Sequence, residues 1–150
     1  MDINSISLLT RFKMKQRPPI TISSLDAVRL ERLFSSLDSD QFPSLDDLQA
    51  EVDRANIVEP KEIPPDVVTM NSTVTFRIES SEKEFSLTLV YPRDAGDSTG
   101  KISVLAPVGS ALLGLREDDE ISWPKPGGGS LIVRILKVTY QPERSGEFQL

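Results

Sequence analysis

"VEPKEIPPDVVTMNSTVTFRIESSEKEFSLTLVY", residues 58–91, contains the point at which the chain changes its hydrophobic period. Pro60, Pro64 and Pro65 each fix φ and remove a backbone donor, so residues 59–66 read as an extended linker. Beyond them Val74, Phe76 and Ile78 alternate with polar residues, and Phe85, Leu87, Leu89 and Tyr91 do the same. Two runs of period two around the polar turn "SSEK" predict a β-hairpin.

Upstream of the prolines the period is helical. In "SSLDAVRLERLFSSL" (23–37), Ala27, Leu30, Phe34 and Leu37 recur at 3-4-3 spacing, and Ser23 with Asp26 has the spacing of a capping box. "SLDDLQAEVDRANI" (44–57) repeats the pattern with Leu45, Leu48, Val52 and Ala55, and with Ser44 and Asp47 as the capping pair. Two such stripes joined by a short turn at Pro43 predict an antiparallel coiled-coil hairpin with arms of about 20 Å.

Downstream, "KISVLAP" (101–107), "EISWP" (120–124) and "SLIVRILKVTYQP" (130–142) read as strands, and "VGSALLGL" (108–115) reads as a short helix. "REDDE" (116–120) is a charged loop, and "KPGGG" (125–129) is a turn between strands rather than a phosphate loop, which would open a helix. The expected fold is α+β: a short helical hairpin followed by an antiparallel sheet with one short helix. The boundaries are an N-terminal extension 1–22, a helical hairpin 23–58, a proline-rich linker 59–66 and a strand-rich domain 67–150. Within the extension, residues 1–13 are expected to be a dispensable tail.

Composition narrows the chemistry. The 150 residues include no histidine and no cysteine, which removes Ser-His-Asp and Cys-His catalysis, disulfides and thiolate metal sites. No apolar run approaches the roughly 18 residues that cross a bilayer, so no membrane association and a cytoplasmic location are expected. The net charge of −6 is uneven. Residues 24–66 carry eleven acids against four bases, which disfavours direct contact with duplex phosphates and favours a basic partner surface or a cation.

"AEVDRANIV", "DVVTMNSTV", "TLVYP", "APVGSALLGL" and "VTYQPERSGEFQL", together with "ISVLAPVGSALLGLREDDEISWPKPGG", resemble the Gre family of bacterial transcript-cleavage factors over roughly residues 17–150. The resemblance implies an FKBP-like C-terminal domain and an N-terminal coiled coil. It also implies docking of the sheet domain on the rim helices of the largest catalytic subunit of RNA polymerase, at the secondary channel. Nucleic acid is then met only through the polymerase complex, by a protein expected to act as a monomer. Control of a nucleoside diphosphate kinase is a further reading, and it comes only from the name of one branch of the family.

Two candidate sites follow. Cleavage-competent Gre factors carry two tip acids that support a magnesium ion in the polymerase active site. Here Asp38 and Asp40 lie nearest the turn, but without the family's acid-x-x-acid spacing and on a shorter hairpin. Asp46 and Asp47 are explained by the dipole of the second helix. No catalytic residue, cofactor or metal is therefore expected, and stimulation of transcript cleavage through Asp38 and Asp40 is the alternative reading. Ser103, Leu105 and Pro107 match the segment through which Gre factors grip the polymerase, with Leu105 where the family often has an acid. The plainer alternative is that this segment only ends a strand and starts a helix at Pro107. Prolyl isomerase activity is not expected, because the nine aromatic residues form no pocket-like cluster in the sequence.

Overall fold

The computed structural model describes residues 18–38, 42, 44–79, 81–96, 99–125 and 127–148, and it shows a mixed α+β fold built on a curled sheet. Strand β1 (Thr21–Ser23) leads into helix α1 (Ser24–Ser35). Helix α2 (Leu45–Arg54) leads into strand β2 (Asn56–Val58). Strands β3 (Thr73–Ile78) and β4 (Lys83–Val90) are followed by a one-turn helix α3 (Pro92–Ala95) and strand β5 (Lys101–Ser103). Helix α4 (Pro107–Leu112) precedes β6 (Glu120–Pro124) and β7 (Ser130–Tyr140).

The five-stranded sheet has the order β5-β4-β3-β7-β6. The hairpin predicted from alternation is present, with Val74 opposite Leu87 and Phe76 opposite Phe85. Phe76 and Phe85 stack with ring centroids 5.6 Å apart. The sheet is not wholly antiparallel, since β5 runs parallel to β4 with Leu89 opposite Ile102. Only Lys101–Ser103 of "KISVLAP" forms a strand, because Val104–Ala106 turn away to start α4. In β7 the buried positions run Val133, Ile135 and then Val138. The register explains the change of parity: Phe76 pairs with Ile135 and Thr75 with Lys137, leaving Leu136 as the extra residue of a bulge.

Strands β1 and β2 pair in parallel, Thr21 with Asn56 and Ser23 with Val58. This small sheet, not anticipated from the sequence, clamps the residues that lead into α1 to those that follow α2. A 3-10 turn at Pro60–Glu62 interrupts the stretch expected to be fully extended, with proline at its favoured first position.

The capping predictions divide. Ser23 caps α1 as expected, its hydroxyl accepting the Asp26 N–H at 3.0 Å. Asp26 does not return the bond to Ser23; its carboxylate accepts the Met70 N–H at 3.2 Å instead. Ser44, expected to cap α2, makes no side-chain cap bond and has helical φ and ψ itself.

One apolar core runs through both units. Leu30 and Phe34 of α1, Leu45, Leu48 and Val52 of α2, and Ile20 and Ile22 join Val74, Phe76, Leu89, Trp123, Val133 and Ile135 of the large sheet. Burying a side chain of this size is worth about 1.5–3 kcal/mol, so the helices are held to the sheet by more than their connections. The Thr21 N–H reaches the Gly114 carbonyl at 3.2 Å. Gly114 lies at φ +81°, and a Cβ there would sit 2.7 Å from the Cβ of Ile20, so only glycine permits this approach.

Candidate functional site

The turn Ser103–Pro107 is built from its own polar groups. The Ser103 hydroxyl accepts the Leu105 N–H at 3.1 Å, and the Ser103 carbonyl accepts the Ala106 N–H at 3.0 Å. The Val104 N–H donates to the Val90 carbonyl at 2.9 Å, and the Ser110 hydroxyl donates back to the Val104 carbonyl at 2.6 Å. Pro107 opens α4, where its missing donor costs nothing. Beneath the turn, a Cβ on Gly109 would lie 2.0 Å from the Ser103 carbonyl oxygen, so α4 sits directly against the end of β5. The result is a rigid corner.

Of the three residues singled out in this segment, Ser103 and Pro107 are half-buried on the corner, while Leu105 is 7% exposed and belongs to the core. Leu105 thus anchors the turn from inside rather than presenting an apolar surface outside.

The acids of the first helical connection are placed differently. Asp38 is exposed just beyond α1, and Asp46 is exposed in the first turn of α2. Asp40 lies outside the described residues. Among the described residues no group of three or more carboxylates is arranged to hold a metal ion.

A buried polar junction between α1 and the sheet escaped the sequence reading. Asp26 is 4% exposed, and besides Met70 its carboxylate accepts the Tyr91 hydroxyl at 3.4 Å. Burial pushes the Asp26 carboxyl up to about 7, and the charge of Glu143 adds to the rise. The Met70 N–H, the Arg29 charge and the Tyr91 hydroxyl pull it back, without cancelling desolvation. Burial, and then the Asp26 charge, push the Tyr91 hydroxyl up as well. Around the same turn Thr69 bonds Ser72 and Glu143, each at 2.7 Å. Gln141 donates to the carbonyls of Pro64 and Val67. The only local signal was an acid at a helix N-terminus, which reads first as a cap.

A short helical unit thus precedes a curled sheet, and a rigid corner joins β5 to α4. The chain belongs to the GreA/GreB family: the family described as "Transcription elongation factor, GreA/GreB, C-term" matches residues 51–140. The family described as "Rnk N-terminus" matches residues 18–58. Over 134 residues the chain is 47% identical to the Regulator of nucleoside diphosphate kinase of Escherichia coli K12, covering 89% of this chain and 98% of the relative. It is 33% identical over 97 residues to the Transcription elongation factor GreA of Trichlorobacter lovleyi, covering 65% of this chain and 61% of that one. Among solved structures, a prokaryotic transcription elongation factor GreA/GreB from Nitrosomonas europaea superposes with a TM-score of 0.66 at 66% identity. It covers 83% of this chain and 100% of its own. These relatives are named as regulators and transcription factors rather than enzymes.

Proposed function

We propose that this protein is a non-catalytic regulator of transcription elongation that binds RNA polymerase at the secondary channel and competes there with Gre factors. The Ser103–Pro107 corner docks on the rim helices of the largest catalytic subunit, with Leu105 holding the corner from within. In this reading residues 23–58 act as a short coiled-coil hairpin, 59–66 as the linker and 67–150 as an FKBP-like docking domain in a cytoplasmic monomer.

The observation that carries the reading is the corner itself. Four hydrogen bonds and a glycine contact fix Ser103 and Pro107 before any partner arrives, so little ordering entropy is lost on docking. Helix lengths support the absence of cleavage. At 12 and 10 residues, α1 and α2 are about 18 and 15 Å long, which keeps acids near the connection away from a distant metal.

The test is the affinity of the purified protein for core polymerase. Ser103→Ala and Pro107→Ala are each expected to weaken it about tenfold, or roughly 1.4 kcal/mol. Unchanged affinity in both variants places the interface elsewhere. The name of the E. coli relative favours a second reading, regulation of a nucleoside diphosphate kinase. If it holds here, altered transcription is a sufficient route.

A further inference from the structure

A cleft of about 500 Å³ opens between α1 and the segment that follows β4, lined by Arg29, Arg32, Leu33, Tyr91, Pro92 and Arg93. The composition of its wall is unusual for a chain of net charge −6. Three arginines, from two elements far apart in sequence, line it together with Leu33, Tyr91 and Pro92, and the lining is mainly apolar.

We infer that this cleft binds a small phosphorylated ligand carrying a flat ring, of the nucleoside phosphate class. The volume lies within the 300–1,000 Å³ typical of small-molecule sites. Arg32 and Arg93 are exposed at the rim, and their planar forks match phosphate oxygens in a way that lysines would not. Arg93 meets Asp94 only at 3.9 Å and is 86% exposed, so little holds it back from an incoming anion. Arg29 is engaged with Asp26 and the Tyr91 hydroxyl, and it contributes charge at the inner end. Half-buried Leu33 and Pro92, with the edge left open by the buried Tyr91, give a base an apolar surface to lie on. Both walls of the cleft are fixed by the core contacts of α1 and by the Asp26–Tyr91 bond, so the site is preformed. It lies apart from the Ser103–Pro107 corner in its residues, and it stands or falls independently of polymerase binding.

The test is calorimetric titration of the full chain with ADP and, separately, with inorganic pyrophosphate at matched ionic strength. ADP is expected to bind saturably at one site and more tightly than pyrophosphate. Arg32→Ala and Arg93→Ala should each weaken ADP binding about tenfold, the loss of one charge-assisted contact. Both side chains are exposed, so an unchanged thermal midpoint checks that the variants fold. Absence of saturable heat with ADP at millimolar concentration overturns the site. So does ADP affinity that neither arginine variant lowers. Pyrophosphate binding as tight as ADP overturns the role assigned to the apolar floor.

Discussion

Asp26 on the first helix accepts a hydrogen bond from the backbone N–H of Met70 across 44 positions of sequence, at 3.2 Å in a buried setting. The contact ties the helical unit to the sheet, and it gives the fold a titratable joint. The folded protein holds the Asp26 proton to about pH 7, whereas an unfolded aspartate releases it near 3.8. Between those values the native state binds more protons than the unfolded one, so stability falls as pH rises from about 4 to about 7 and then levels. The chain has no histidine and no cysteine, so no other side chain ordinarily titrates between pH 5 and 8. The urea midpoint should therefore be lower at pH 8 than at pH 5. Asn can accept from Met70 while donating to Tyr91, so Asp26→Asn should flatten that slope. Equal slopes in the two proteins would remove Asp26 as its cause.

The caps provide a contrast. Ser23→Ala removes an observed bond to the Asp26 N–H and should cost about 1 kcal/mol. Ser44→Ala removes no cap bond and should cost less. Thermal midpoints of the two variants check the order, and a larger loss at Ser44 would contradict the assignment.

The corner separates packing from docking. Leu105→Ala empties a buried position and should cost about 2–4 kcal/mol. Gly109→Ala forces a Cβ against the Ser103 carbonyl and should cost about 2–3 kcal/mol. Ser103→Ala and Pro107→Ala, half-buried at the surface, should change the thermal midpoint by no more than a few degrees while still weakening polymerase binding. If all four lose stability equally, the corner is only a packing element.

The acids of the helical connection should be silent. Added to backtracked elongation complexes, the protein is expected not to shorten the transcript. Cleavage that disappears in an Asp38→Ala/Asp40→Ala double variant would overturn the non-catalytic reading.

Local pattern made some of this structure readable and hid the rest. The β3–β4 hairpin was legible because Val74, Phe76, Leu87 and Leu89 alternate over a single tight connection. Strands β1 and β2 were not, since three residues on each side carry no period and pair only when α1 and α2 bring them together. The bulge at Leu136 shifts the parity of β7 through its pairing partners, which alternation within one strand does not register. Asp26 has the sequence position of a capping acid, and only the approach of Met70 and Tyr91 reveals its other destination. Leu105 was singled out only for its place between Ser103 and Pro107, and folding turns it inward. Position in the family's pattern did not specify which side of the corner it faces.

Occupancy of the polymerase secondary channel is tested by competition with a Gre factor. Fluorescently labelled protein is bound to core RNA polymerase, followed by anisotropy, and titrated with an unlabelled Gre factor. Saturable binding that the Gre factor fully displaces is the expected result. No binding, or binding that persists at saturating Gre factor, would contradict it.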